Sequence, residues 1–194
     1  MTRVLCVWFP KWPIQRLRHE RPELERAEIL LFGARDQRLV VTAFAVKPGR
    51  RGIRVGQPLS EARALAPGAA PLPCEPEADR RALARLAIEA QRFTPLVGLE
   101  DGPEPSALLG DVTGCPHLWD GEEPFLDAVR AFWSEGGYRV RIALAGSVGA
   151  AWALARAREA TVVPPGEERE AVAPLPVHLL RLPPESLERL DALG

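Results

Sequence analysis

Hydrophobic and polar residues follow two patterns along the chain: short apolar runs typical of strands, and spacings of three to four residues typical of helices. The first apolar run, residues 3–9, predicts a buried strand. The runs at 29–32 and 39–45 flank a charged turn at 35–37 and therefore predict a hairpin. Further strands are predicted at residues 71–74, 96–99, 107–112, 138–145 and 161–163.

Helical spacing is clearest in two segments. Residues 76–94 place their apolar positions on one face, and residues 125–133, after a predicted cap at Asp120, form a second apolar stripe. Ser147 is the predicted cap of an alanine-rich helix that runs to Arg158. Shorter helices are predicted at residues 14–18, 58–66 and 184–193. This order of strands, hairpins and helices predicts an α+β fold, because no glycine-rich phosphate loop of a doubly wound fold follows any strand.

The overall charge of the chain is almost neutral. Its 194 residues include 25 Lys and Arg against 26 Asp and Glu, which leaves a formal net charge of −1. This balance excludes a uniformly basic nucleic-acid-binding protein and a highly charged disordered chain. The longest uncharged apolar stretch, residues 142–154, is shorter than the ~20 residues that a membrane span needs. The apolar run at 4–10 is too short for a signal peptide, so we expect a cytoplasmic protein without membrane contact.

Basic residues are nevertheless concentrated in one stretch. Between residues 34 and 54 there is a single acid, Asp36, and the local excess is +5. The six bases of this basic stretch are Arg35, Arg38, Lys47, Arg50, Arg51 and Arg54. They predict a surface for an anion such as nucleic acid or a triphosphate. A solvated hairpin with scattered arginines has the same composition, so both interpretations stay open.

Cysteine and histidine residues do not suggest a catalytic or metal site. The three cysteines are widely spaced, and Cys115-Pro116-His117 is the single cluster of the two residue types in the sequence. A structural zinc site takes four ligands in recognisable pairs. We therefore predict no metal site and no cofactor.

Six segments carry a family pattern in a fixed order. They are VLCVWF at residues 4–9, VTA at 41–43, GIRVGQPLSEA at 52–62, QRFTP at 91–95, DVTG at 111–114 and RVRIALA at 139–145. Together they resemble the palm and fingers of the Y-family (translesion) DNA polymerases, and residues 187–194 resemble the end of the first thumb hairpin. The phrases WFP at 8–10 and LLGDVTGC at 108–115 are similar to the ImuB-like branch of that family, which is catalytically degenerate.

The resemblance also implies an architecture. It implies a palm with a mixed or antiparallel sheet and helices on one face, together with small fingers and a partial thumb. The implied bounds are palm at 1–33, fingers at 34–73, palm again at 74–165 and partial thumb at 166–194. The little-finger domain that follows the thumb in family members has no counterpart in these 194 residues.

The acids that hold the catalytic metals in active relatives are replaced in this sequence. Phosphoryl transfer by two metals needs converging carboxylates, because neutral side chains do not hold Mg²⁺. Counting along the motifs places the family's Asp-x-Asp pattern on Trp8 and Pro10, and its Asp-Glu pair on Ser106 and Ala107. We expect the Trp8 indole to be buried in the former metal site, so that Trp8→Asp would bury an unpaired charge.

Two other subsites of active relatives are altered as well. The Tyr-x-x-Arg pattern that grips the incoming nucleotide falls on Val46 and Gly49. The thumb Gly-x-Gly pattern falls on residues 181–183, where Pro183 has no N–H to donate to a phosphate. The three losses together predict a protein that does not polymerise DNA.

The resemblance implies a non-catalytic adaptor in translesion, mutagenic DNA repair synthesis, the activity linked to DNA damage and SOS mutagenesis. It implies a replicative-type polymerase and a RecA-like protein as partners, whereas relatives bind the sliding clamp through a tail that these residues lack. Weak, sequence-independent DNA binding would use the basic stretch. Two alternatives stay open: a template-directed polymerase with the unorthodox ligands Asp101, Glu104 and Asp111, and a simple DNA-binding module.

Overall fold

The computed structural model describes residues 1–49, 52–158 and 160–179 of the chain. Its strands are β1 (Val4–Trp8), β2 (Ile29–Arg35), β3 (Arg38–Ala45), β4 (Ala70–Pro73), β5 (Leu96–Leu99), β6 (Ala107–Asp111), β7 (Arg141–Ala145) and β8 (Ala160–Val162). Its α-helices are α1 (Trp12–Glu20), α2 (Leu59–Leu65), α3 (Pro76–Ala90), α4 (Glu122–Glu135), α5 (Val148–Ala157) and α6 (Glu168–Val172). None of the helices in these three ranges is long and apolar enough to cross a membrane.

Contacts divide the chain into two units. The first unit contains Met1–Pro10 together with the described residues from Leu83 onward, and the second unit is Lys11–Ala82. The palm, fingers and thumb bounds implied by the resemblance stay predictions.

The first unit is built on a five-stranded sheet in the order β5-β6-β1-β7-β8. Neighbouring strands are antiparallel except β7 and β8, which are parallel. In the central strand, Trp8 lies opposite Ala107 of β6 on one side and Arg141 of β7 on the other. The predicted α+β class with a mixed sheet is confirmed.

Helices cover both faces of this sheet, whereas the family resemblance implied helices on one face. Val4 and Cys6 of β1 pack with the alanine-rich side of α5. Leu5 and Val7 point to the opposite face, where they line a small apolar cavity together with Trp133 of α4. The cause is the composition of β1, whose four consecutive buried apolar residues need cover on both sides.

The bounds of α4 depend on backbone geometry that the apolar stripe does not show. Gly121, and not Asp120, is the residue that precedes the helix, and its φ of 130° is a conformation that favours glycine. At the other end, the Tyr138 N donates to the Trp133 O at 2.8 Å and completes the last turn. The backbone N–H of Tyr138 is therefore engaged by the end of the helix. Strand β7 accordingly begins at Arg141 rather than at 138.

Of two further helix ends, one lies where the sequence predicted it and the other does not. Ser147 caps α5 as predicted, because its Oγ accepts a hydrogen bond from the Ala150 N at 3.3 Å. Helix α3 ends at Ala90 rather than at 94, since the Phe93 N donates to the Ala90 O in a tight turn. The predictions for residues 181–194 lie outside the described residues.

The second unit contains a three-stranded sheet in the order β3-β2-β4. Strands β2 and β3 form the predicted hairpin, and β4 pairs parallel to β2. The two turn residues, Asp36 and Gln37, have φ of 48° and 61°, as a two-residue hairpin turn of type I′ requires.

Helix α1 is held in the second unit by a buried guanidinium. The Arg16 side chain is 3% exposed and donates to the Asp79, Glu75 and Glu20 carboxylates at 2.5, 2.9 and 2.5 Å. Burial raises the pKa of Asp79 above its ordinary value, even though Arg16 donates to it. The cluster ties α1 to the beginning of α3.

Candidate functional site

Three of the four positions to which the motif counts assign the acids of active relatives lie side by side in the first unit. Trp8 ends β1 and lies opposite Ala107, the first residue of β6. The Trp8 Nε1 donates to the Ser106 Oγ at 3.1 Å, and the Phe9 N donates to the Ser106 O at 2.8 Å. The fourth position, Pro10, comes two residues after β1 and is half-buried. The residues identified by motif counts at two distant places in the chain therefore lie together at one end of the β1–β6 pair.

Trp8 is half-buried, whereas the sequence predicted a buried indole. The guanidinium carbons of Arg156 and Arg141 lie 5.2 and 5.6 Å from the centroid of its ring. Such cation–π contacts are worth about 0.5–2 kcal/mol each. The two guanidinium groups therefore lie beside the indole itself, and the expectation that Trp8→Asp would bury an unpaired charge stays a prediction.

A buried carboxylate, Glu100, lies directly beside these positions. It follows β5, and its side chain is 7% exposed. Its Oε1 accepts hydrogen bonds from the Ser106 N at 2.6 Å and the Ser106 Oγ at 3.0 Å. Its Oε2 accepts from the Trp152 Nε1 at 2.5 Å and the Arg156 Nη2 at 2.7 Å. These donors match the roughly four lone-pair positions that a carboxylate offers.

We call this group of residues the Glu100 cluster: Trp8, Glu100, Ser106, Trp152 and Arg156. The Arg156 guanidinium carbon lies 3.7 Å from the centroid of the Trp152 ring, and its side chain is 11% exposed. The Arg141 guanidinium carbon lies beside the Trp8 ring, so this end of the sheet holds two guanidinium groups and one carboxylate in the cluster. Mg²⁺ instead needs several oxygen ligands, mostly carboxylates and waters. The residues present do not fit the two-metal centre of active relatives.

Sequence reasoning missed Glu100, Trp152 and Arg156. Trp152 and Arg156 are four residues apart in an alanine-rich helix, so they share one helix face, and this was a usable signal for a polar contact. Glu100 carries no comparable local signal, because 52 and 56 residues separate it from these two partners.

The unorthodox ligands of the alternative polymerase hypothesis are not brought together. Asp101 and Glu104 are exposed on the turn after β5. Asp111 is at the opposite end of β6 from Ala107, a separation of about 13 Å along the strand. Hydrogen bonds from the Thr113 hydroxyl and N–H lower the pKa of Asp111. Within the described ranges, no three His, Cys, Asp or Glu side chains are grouped to hold a metal ion.

The described part of the basic stretch is exposed. It comprises Arg35, Arg38, Lys47 and Arg54. Arg35 and Arg38 are cross-strand neighbours beside the hairpin turn, whereas Lys47 follows the other end of β3. The bases thus extend over roughly 30 Å along β3 rather than forming one compact patch. Arg50 and Arg51 lie outside the described residues.

Two comparisons of sequence identify relatives of the chain. The profile of the impB/mucB/samB family matches residues 7–156, a range that ends at Arg156 of the Glu100 cluster. Protein ImuB of Caulobacter vibrioides, in each of two strains, is 40% identical over 144 residues. That alignment covers 74% of this chain and 31% of the relative, so the chain spans less than a third of these curated relatives.

Solved structures with the same fold include a DNA polymerase, Dbh, and DinB. The insertion ternary complex of Dbh DNA polymerase has a TM-score of 0.76 at 16% identity, over 99% of this chain and 58% of that chain. DinB from Sulfolobus solfataricus has a TM-score of 0.72 at 16% identity, over 99% of this chain and 57% of that chain. At 16% sequence identity, these structural matches establish the fold alone. Since the family profile covers most of its residues, the chain belongs to the impB/mucB/samB family and has the fold of the Y-family polymerases.

Proposed function

We propose that the chain is a non-catalytic Y-family homologue that acts as an adaptor in translesion, mutagenic DNA repair synthesis. The observation that carries the proposal is the Glu100 cluster, whose single carboxylate is engaged by donors on both oxygens. Nucleotidyl transfer by two metals needs several available carboxylate oxygens at that place. A palm fold without them supports a role in binding partners rather than in chemistry.

Primer extension tests the absence of polymerase activity. With Mg²⁺ or Mn²⁺, a primed template and all four nucleotides, the chain should give no product above a buffer control. The physical reason is that Trp8, Pro10, Ser106 and Ala107 offer no carboxylate to a metal. Extension that survives repurification and is abolished by Asp111→Ala would overturn this proposal and support the polymerase with unorthodox ligands.

The proposed protein partners are a replicative-type polymerase and a RecA-like protein. Binding to the sliding clamp is not part of the function proposed for this chain. Affinity capture from an extract of the native cell, treated with nuclease to remove bridging DNA, should recover both partners with the chain as bait. Recovery of neither protein would contradict the adaptor role.

A simple DNA-binding module is the second candidate, and the exposed bases along β3 favour it. The proposed DNA contact is weak and sequence-independent, and it includes Arg50 and Arg51 together with the described bases. The two candidates differ in the capture experiment. DNA binding without recovery of a protein partner would select the module, whereas recovery of the partners from nuclease-treated extract would select the adaptor.

A further inference from the structure

The polar groups of the Glu100 cluster are directed at one another. The Glu100 and Arg156 side chains are 7% and 11% exposed, and the Glu100 Oε2 lies 2.7 Å from the Arg156 Nη2. The Ser106 Oγ donates a hydrogen bond to the Glu100 Oε1 at 3.0 Å and accepts one from the Trp8 Nε1 at 3.1 Å. The carboxylate is therefore satisfied by groups of the chain itself.

We infer that Arg156 is the internal cation of this site and that the Glu100–Arg156 ion pair closes it to divalent metal ions. The Arg156 guanidinium is held between the carboxylate and two aromatic rings, 3.7 Å from the Trp152 centroid and 5.2 Å from the Trp8 centroid. A metal ion that took the carboxylate would leave this buried guanidinium unpaired. Breaking a buried pair in this way is strongly unfavourable.

Arg156 is expected to exclude metal ions even where an acid is restored, so its effect is independent of the loss of the acids. The Arg156 Nη2 lies 3.5 Å from the Ser106 Oγ, so a carboxylate restored at Ser106 would be within reach of the guanidinium. It would pair with Arg156 rather than with a metal ion. Restoring an acid is thus insufficient, whereas restoring the acid and removing the guanidinium together should open the site to a cation.

Terbium luminescence tests this inference, because Tb³⁺ seeks oxygen ligands and is sensitised by tryptophan only at short range. Trp8 and Trp152 are then the reporters of this site, and the part of the signal lost in Trp152→Phe is assigned to it. The wild-type chain should show no such signal, and Ser106→Asp should show it only at high Tb³⁺ concentration. Ser106→Asp/Arg156→Met should show it, with an apparent affinity at least tenfold tighter than Ser106→Asp and with loss of signal in excess Mn²⁺. The matched control Ser106→Asn/Arg156→Met lacks the second carboxylate and should not gain the signal.

Two results would overturn the inference. One is Trp152-dependent Tb³⁺ luminescence of the wild-type chain. The other is equal Tb³⁺ affinity of Ser106→Asp with and without Arg156→Met, when both have the circular dichroism spectrum of the wild type. Should the double variant not fold, the wild-type titration decides alone. A wild-type Tb³⁺ signal without primer extension would overturn this inference and leave the proposed adaptor role standing.

Discussion

At the scale of single residues, Glu100 and Arg156 depend on each other. Each side chain is mostly buried, and each satisfies the charge of the other. In such a pair the loss of one partner is far more harmful than the loss of both, because a single buried charge remains without compensation. Ser106 and Trp152 add hydrogen bonds that only a carboxylate can accept in this number.

Glu100→Gln is expected to lower the free energy of unfolding by about 3–5 kcal/mol. The substitution leaves Arg156 unpaired and turns an amide NH₂ toward groups that are themselves donors. Urea denaturation measures the change. Glu104→Gln, at an exposed position of the following turn, is the matched control and should change stability by less than about 0.5 kcal/mol. Glu100→Gln/Arg156→Met should be more stable than Glu100→Gln, and equal losses in Glu100→Gln and Glu104→Gln would contradict the prediction.

At the scale of elements, Glu168 connects α6 to the end of β7. Its Oε1 accepts from the Gly146 N and its Oε2 from the Gly166 N, both at 3.0 Å. Gly146 approaches the carboxylate so closely that any Cβ there would collide with the Glu168 Oε1. Hydrogen bonds from the backbone N–H groups of Glu168 itself, Gly166 and Gly146 lower the pKa of Glu168. The ionised carboxylate is the form that holds the two elements together.

Glu168→Gln is expected to make stability less dependent on pH. A folded-state pKa below the unfolded value of about 4.3 stabilises the fold above that value, and the contribution is lost as the pH falls through the folded pKa. The melting temperature of the variant should therefore be below that of the wild type at pH 7, with a smaller difference near pH 3. Glu170→Gln removes an exposed charge from the same helix and serves as the control. A difference from the wild type that is the same at both pH values would refute the assignment.

At the scale of the whole molecule, charge distribution matters more than total charge. The net charge of −1 does not attract DNA, so any attraction comes from a local surface. The exposed bases along β3 form such a surface in the second unit. Contacts with phosphates alone release counterions and do not distinguish between sequences.

Arg35→Ser/Arg38→Ser/Arg54→Ser is expected to weaken DNA binding equally for all sequences. The slope of log affinity against log salt should flatten by up to about 3 units, since each neutralised phosphate contributes roughly 0.9. A titration over a salt series measures this slope. The matched control is Arg21→Ser/Arg26→Ser/Arg63→Ser, which removes three exposed arginines of the same unit outside the basic stretch. An unchanged slope in the first variant would move the contact elsewhere, and no binding at low salt would remove DNA from the proposal.

The sequence by itself determined the elements whose signals are local. The apolar runs around the turn at Asp36 and Gln37 predicted the β2–β3 hairpin, and Ser147 predicted the beginning of α5. These predictions succeed because strand alternation, turn chemistry and helix capping act within a few residues. The family motifs likewise needed only their order along the chain, and they predicted the palm fold that the solved polymerases share.

Only the tertiary structure decided which residues surround the positions that the motif counts assign to the acids. Trp8 and Ser106 are 98 residues apart, and Glu100 and Arg156 are 56 residues apart. Their contacts exist because β5, β6 and β1 are neighbours in one sheet and α5 packs on its face, which no local pattern specifies. The same packing placed helices on both sides of the sheet. A buried carboxylate must find its cation in the folded chain, and the sequence shows the two charges without showing that they meet.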